Sequence, residues 1–160
     1  MADPKPPALE FRVCPADEDP AAALLAAMRE EMALLYDGLD IDDPSMPAAG
    51  AAELGPPGGV FVVGFEQGLP LCGGGVKRLA AGACEIKRIF VVPAARGRGV
   101  ARTLLAELER RARELGYELA RLDSGPRQPG PQRIFTAAGY RPIANFNDNP
   151  VATYFGEKRL

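Results

Sequence analysis

The chain has 160 residues, of which 47% are hydrophobic and 25% charged, and its formal net charge is −2. That length fits one domain with a full core, and so small a charge leaves no electrostatic footprint for nucleic acid or an anionic membrane. There is no histidine, which removes Ser-His and Cys-His nucleophilic pairs and most zinc and non-haem iron sites at once.

In chain order, the proline-rich "MADPKPPA" (1–8) is expected to be disordered, leaving 9–160 as a single domain. "LEFRVC" alternates in the manner of a half-buried strand. Pro20 can open a helix whose apolar positions Leu24, Leu25, Met28, Met32 and Leu35 recur at helical spacing, with Gly38 as its end. The stretch "AAALLAAM" is short and flanked by "DEDP" and "REE", matching neither a membrane span nor a secretory signal. The expected location is cytoplasmic. From Leu39 to Gly59 the composition is that of a loop, with one short helical turn at "AAEL". Three strand candidates follow, "VFVVGF", "LCGGGVKRL" and "ACEIKRIFVV", the first two joined by the hairpin signal "EQGLP". Cys72 and Cys84 fall inside these strands, and with Cys14 they form an odd set without C-x-x-C spacing. Buried thiols are expected rather than a disulfide framework.

The stretch "VVPAARGRGVARTLL" (91–105) then runs from a strand, through Arg96, Gly97, Arg98 and Gly99, into a helix. Val100, Leu104, Leu105, Leu108, Ala112 and Leu115 share one face of that helix. Glu107 with Arg111, or Glu109 with Arg113, can pair at i,i+4, and Gly116 suits the C-terminal stop. "ELARLD" reads as a strand, "PQRIFTAAG" as a short helix closed by Gly139, "YRPI" as a strand, and "VATYFGEKRL" as a last strand after the turn "NFNDNP". The order strand, helix, meander, helix, strand, helix, strands describes a mixed α/β or α+β domain.

A loop of glycines and arginines before a helix suits an anion held on unpaired backbone N–H groups, with arginines adding charge; a tight turn with solvated charges is the plain alternative. No Gly-Lys pair occurs, so a P-loop is excluded. A dinucleotide fingerprint is weak, because Arg102 occupies the third glycine position and "PAAR" separates strand from glycines, although Asp123 ends the next strand where a ribose-binding acid belongs.

Arg96, Gly99 and Ala101 form R-x-x-G-x-A after a strand ending in Val-x-Pro and before an amphipathic helix. Here the chain resembles the GCN5-related N-acetyltransferase (GNAT) family, and the elements from "FRVC" to "FGEKRL" follow that family's order. The resemblance implies a mixed, mostly antiparallel sheet flanked by about four helices, acetyl-CoA as cosubstrate, no metal, and direct transfer of acetyl to an amine within a ternary complex. It implies that Ile89, Phe90 and Val91 offer backbone to the thioester and pantetheine arm. The same residues also read as core strand. Gly97, Arg98, Gly99, Val100, Ala101 and Arg102, after Arg96, would surround the pyrophosphate. The tyrosine the family usually carries as proton donor to the leaving thiolate is replaced by Phe135, and an asparagine two turns earlier by Gln128.

Without histidine the base must be a carboxylate, a tyrosine, a lysine, a thiolate or water, and carboxylates are the natural agents. The resemblance points first to Glu85, otherwise a strand charge paired with Lys87 or Arg88, and second to Asp123, otherwise an Asx turn into "SGP". A backbone N–H at Val91 would hold the oxyanion. Asp37, Asp40, Asp42 and Asp43 form an acidic run that reads first as a solvated linker and second as a rim attracting a cationic amine. Asp148 and Tyr154 are possible substrate contacts, though core packing explains Tyr154 equally. A homodimer is one expectation. Phe135 also fits a CoA-thioester sensor without turnover, and the glycine loop an NAD(P)-binding module.

Overall fold

The computed structural model describes residues 8–128 and 130–160, so the stretch 1–7, most of the expected disordered terminus, lies outside it. Strands β1 (Glu10–Val13), β2 (Val60–Glu66), β3 (Leu69–Ala80), β4 (Ala83–Val91), β5 (Leu119–Ser124), β6 (Arg141–Pro142) and β7 (Tyr154–Arg159) form one sheet in the order β1-β2-β3-β4-β5-β7-β6. Three α-helices pack on it: α1 (Ala21–Leu35), α2 (Val100–Glu114) and α3 (Pro131–Ala137), with a 3-10 turn at Pro93–Ala95. Among the described residues the expectation of about four helices is corrected to these three. "AAEL" makes a single turn, closed by Leu54 N–H on Gly50 O at 3.0 Å, because Gly50, Gly55, Pro56 and Pro57 bracket it.

Every neighbouring pair is antiparallel except β4 with β5, which run parallel over only Ala83–Glu85 against Leu119–Arg121. A dinucleotide-binding module needs a parallel sheet, so the NAD(P) reading is set aside. Beyond Glu85 and Arg121 the two strands part, and β5 continues against β7 alone.

The hairpin between β2 and β3 turns on Gln67 (φ 49°) and Gly68 (φ 80°), as a two-residue turn of primed type requires. Between β3 and β4 the register slips: Gly73 faces Phe90 and Gly75 faces Lys87, so Gly74 stands opposite both Arg88 and Ile89. This is a β-bulge, and Arg88 adopts φ 58° within it.

The period of two divides the core between the faces. Leu24, Leu25, Met28 and Met32 of α1 pack with Phe61, Val63, Phe65 and Phe90 on one side. Leu104, Leu105, Leu108 and Ala112 of α2 pack with Val62, Val76, Cys84, Ile86 and Leu122 on the other, as does Phe135 of α3. Cys72 and Cys84 are buried thiols, and Cys14 is half-buried. On α2, Glu107 pairs with Arg111 at 2.9 Å, whereas Glu109 turns inward to Lys158 of β7 at 2.6 Å instead of meeting Arg113. Val13, at the outer edge strand, stays 54% exposed, so the alternation of "LEFRVC" is only partly used. No helix among the described residues is long and apolar enough to cross a membrane.

Gly59 anchors the long loop onto β3. A methyl group there would collide with the carbonyl oxygen of Glu53 and come within 2.7 Å of that of Val76, both backbone atoms. Gly59→Ala is therefore expected to cost about 1–3 kcal/mol of stability, read as a lower urea midpoint. Gly68→Ala meets nothing within 4 Å and should lose only the left-handed backbone preference of about 1 kcal/mol. Equal losses in the two variants would refute the anchoring role.

Candidate active site

Where β4 and β5 part, a split opens in the sheet, and two adjoining cavities fill it. The first is a groove of about 610 Å³ whose walls include Met28 and Met32 of α1, Ile89, Phe90 and Val91 of β4, and Gly97, Gly99 and Arg102 at the start of α2. Val92 N–H bonds Leu71 O of β3 at 2.9 Å, so the N–H of Val91, one residue earlier, points the opposite way, into the split.

At the end of this groove, Gly97 (φ 79°) and Gly99 (φ 78°) are both left-handed and swing the chain into α2. Gly99 is the N-cap, no side chain caps it, and the first turn carries no acidic residue. The amides of Val100, Ala101 and Arg102 thus have no acceptor within the helix and lie at the positive end of its dipole.

The expected arginines divide. Arg96 lines the groove, but its guanidinium is spent on Glu31 of α1 at 2.8 Å and its Nε donates to Val91 O at 2.9 Å. Arg98 pairs with Glu66 at 2.6 Å and is not part of the groove wall. Arg102 is exposed at the mouth of the groove, without a carboxylate partner among the described residues. Gln128 borders both cavities and accepts the Gly125 N–H at 2.9 Å.

The second cavity continues the groove toward the long loop and is bordered by Lys87, Arg88, Asp123, Asn149, Tyr36 and Phe135 among others. Phe135 stacks on Tyr154, ring centroids 6.3 Å apart. The Tyr154 hydroxyl is buried without a partner among the described residues and lies over Gly156 in the core, so this tyrosine does not stand in for the hydroxyl Phe135 lacks. Asp148 is exposed on its turn.

Beneath this cavity is a buried polar cluster. Glu85 is wholly buried, and its Oε2 receives Lys87 Nζ at 3.1 Å and Asn147 Nδ2 at 2.8 Å, while Oε1 has no hydrogen-bond donor among the described residues, Lys77 Nζ standing 4.0 Å from it. Asn147 also donates to Asp123 Oδ2 at 2.7 Å, Asn149 adds a bond at 3.0 Å, and Lys87 stands 3.6 Å away. Burial pushes the Glu85 carboxyl up from its usual value, Lys87 opposes this, and the nearby Asp123 charge adds to it. Asp123 borders the cavity; Glu85 lies behind it. Both readings of Glu85 thus meet in one place, an unusual buried carboxyl and a partner of Lys87.

Sequence reasoning missed Lys87 as more than a counter-ion, and it missed Arg88, Asn147, Asn149 and Tyr36. The repeated asparagines of "NFNDNP" were the available signal. Their side chains bond their own turn, Asn145 accepting from the N–H groups of Asn147 and Asp148, and Asn149 from those of Val151 and Ala152.

The family model described as the acetyltransferase (GNAT) family matches residues 19–140, more than half of the chain. The chain belongs to that family. It is thereby an acyltransferase by class. Solved structures of the same fold include a putative acyl-CoA N-acyltransferase from Klebsiella pneumoniae (24% identity, TM-score 0.75, 95% of this chain and 97% of that one). Two others are a GNAT acetyltransferase from Elizabethkingia anophelis with acetyl-CoA bound (14%, 0.67, 95% and 98%) and PaiA N-acetyltransferase from Thermoplasma acidophilum in complex with coenzyme A (14%, 0.66, 96% and 99%). No curated protein matches the sequence.

The raised Glu85 carboxyl carries a sign that can be measured. A folded-state value above the usual 4.5 means the preference for the protonated form is fully present below that pH and is lost as pH rises through the folded value. Relative to Glu85→Gln, the native protein should lose stability from pH 4.5 upward and then level off, read by urea unfolding at stepped pH. A difference independent of pH would rule out the buried-acid description.

Proposed function

We propose that the protein transfers the acetyl group of acetyl-CoA directly to an amine, with both substrates bound together in the split between β4 and β5. One observation carries this reading: the unpaired edge of β4 and the bare first turn of α2 share one groove. An extended pantetheine amide chain suits the strand edge, and a diphosphate suits the helix N-terminus, with Arg102 as the uncommitted cation. To lie along Val91, the ligand exchanges its own amide for the Arg96 Nε that occupies the Val91 carbonyl.

The chemistry asks the chain's residues for three things. Asp123 borders the cavity with its carboxylate and takes the proton that an ammonium must shed before its nitrogen can attack. The Lys87 ammonium beside it disfavours a second cation there, which lowers the basicity of the incoming amine. The nitrogen then bonds the acetyl carbon, the carbonyl oxygen gathers negative charge against the Val91 N–H, and the carbon–sulfur bond breaks. Phe135 offers no proton, so the departing thiolate is protonated through solvent, and solvent also takes the second proton that the nitrogen sheds as it becomes the amide. Glu85, closed off from the cavity, holds Lys87 in position.

Acetyl-CoA is expected to raise the melting temperature while NAD(P) leaves it unchanged. Release of free CoA thiol from acetyl-CoA should depend on added amine; release independent of amine, or none across a broad amine panel, would reject transfer in favour of a sensor. Gly99→Val, which puts a β-branched side chain at φ 78°, should raise the KM for acetyl-CoA about ten-fold or more. Unaltered KM would defeat the phosphate assignment.

Asp123→Asn is expected to lower kcat about 100-fold where the amine is still protonated, the loss shrinking as pH rises to where the amine deprotonates unaided. Glu85→Gln should cost much less and leave the shape of the pH profile in place. The reverse pattern would make Glu85 the base.

A further inference from the structure

Arg88 is the residue that the acetyl-transfer reading leaves unexplained. In an unbroken β4 it would sit on the opposite face from Glu85 and Lys87, as period two dictates. The bulge opposite Gly74 and its own φ of 58° place it instead between the second cavity and the long loop, a conformation that arginine rarely adopts. Its side chain is only 9% exposed. Such burial of a cation is unfavourable unless it is matched by charge and hydrogen bonds.

The match inside the chain is incomplete. Arg88 Nη2 donates to Ile41 O at 3.1 Å and to Asp42 Oδ1 at 3.2 Å. Asp42 simultaneously takes Arg29 Nε at 2.5 Å, so one carboxylate serves two guanidinium groups and positive charge is left over. The Nε and Nη1 of Arg88 make no hydrogen bond among the described residues. Neither is a sealed buried atom, and Arg88 borders both this cavity and a neighbouring one of about 410 Å³ on the loop side, so these donors remain available to a ligand. The other acidic residues of the loop are used locally: Asp37 pairs with Arg127, Asp40 accepts the Asp42 N–H, and Asp43 accepts from Ser45. The acidic run therefore does not present itself to the cavity as a cation trap, and what it holds toward the cavity is an arginine.

We propose that the acceptor is an amine that also carries a carboxylate, its carboxylate held by Arg88 and its amine facing Asp123. Nη2, the nitrogen that completes either two-bond face of the guanidinium, is taken by Ile41 and Asp42, so a carboxylate receives a single charge-assisted bond from Nε or from Nη1. Between the two ends, Tyr36, Leu39, Ile41 and Met46 line the cavity, which suits an apolar side chain on the ligand. Amino acids with apolar or aromatic side chains fit this pattern. The amine end rests on the acetyl-transfer reading; the carboxylate end rests on Arg88 alone.

Matched ligands separate the two. Tyrosine with tyramine, and phenylalanine with phenethylamine, differ only in the carboxylate, and each is titrated into the protein saturated with CoA. Binding of the carboxylated partner is expected to be about 10–100-fold tighter. Arg88→Met should collapse that ratio toward one, and Arg88→Lys, which keeps the charge on a differently directed donor, should restore part of it. A retained acetyl-CoA thermal shift in each variant confirms that it folds. Equal binding of the two partners, or a preference that survives Arg88→Met, would overturn the proposal. Turnover is a separate readout with acetyl-CoA: a carboxylate preference in binding without thiol release would remove catalysis and leave the anchor standing, whereas thiol release favouring tyramine over tyrosine would remove the anchor and leave catalysis.

Discussion

The parallel junction of β4 with β5 governs this molecule. Pairing over Ala83–Glu85 and Leu119–Arg121 joins two otherwise antiparallel ladders, and its early end opens the sheet. Parallel neighbours demand a crossover, and here the crossover is α2. The connection leaves β4 at the open end of the split, so the helix begins where the strands have parted. Unpaired strand amides and unpaired helix amides consequently meet in one groove without any side chain being recruited. Glycine at 97 and 99 is what lets the chain turn tightly enough to bring them together.

The polar cluster below the groove depends on the same junction. Glu85 is at the last paired position of β4, and Asp123 lies two residues past Arg121 on β5, where the strands have begun to separate. Two carboxylates held this close out of water repel, and the structure answers with Lys87 and the amides of Asn147 and Asn149. A side chain that bridges both acids also links the turn 145–149 to the floor of the split. Loss of any one bridge leaves buried charge exposed to its neighbour, which makes the cluster sensitive to conservative change.

Much of this was legible in the sequence because it is local. Helical spacing gave α1 and α2, the Gln-Gly pair marked the hairpin, and the glycine loop with the order of elements around it pointed to the family. What was hidden depends on partners far along the chain. Nothing near Arg96 or Arg98 announces Glu31 or Glu66 as their counter-ions, so both read as free phosphate ligands. Glu109 looked ready for Arg113 until Lys158 of β7 arrived beside it. The run "EIKRIFVV" gives no hint of its bulge, because register is decided by the opposing strand, and Gly74 admits two residues opposite one only once Leu108 and Ile89 crowd it. The helix number was carried over from the family resemblance, whereas "AAEL" read as the single turn it makes, held short by glycine and proline on either side.

Across the open part of the split, α1 and the segment after β5 are fastened by side chains. The Tyr36 hydroxyl accepts the Arg127 N–H at 3.2 Å, and Arg127 Nη1 reaches Leu35 O and Asp37 at 2.9 Å each. Gly125 makes room for this, since a methyl group there would strike the same hydroxyl. Bonds of this kind contribute about 1 kcal/mol each, far less than a strand ladder of equal span. This side of the cavity is therefore a latch and not a wall: its fastening is independent of both ladders, so opening it would cost a few side-chain bonds and no strand pairing.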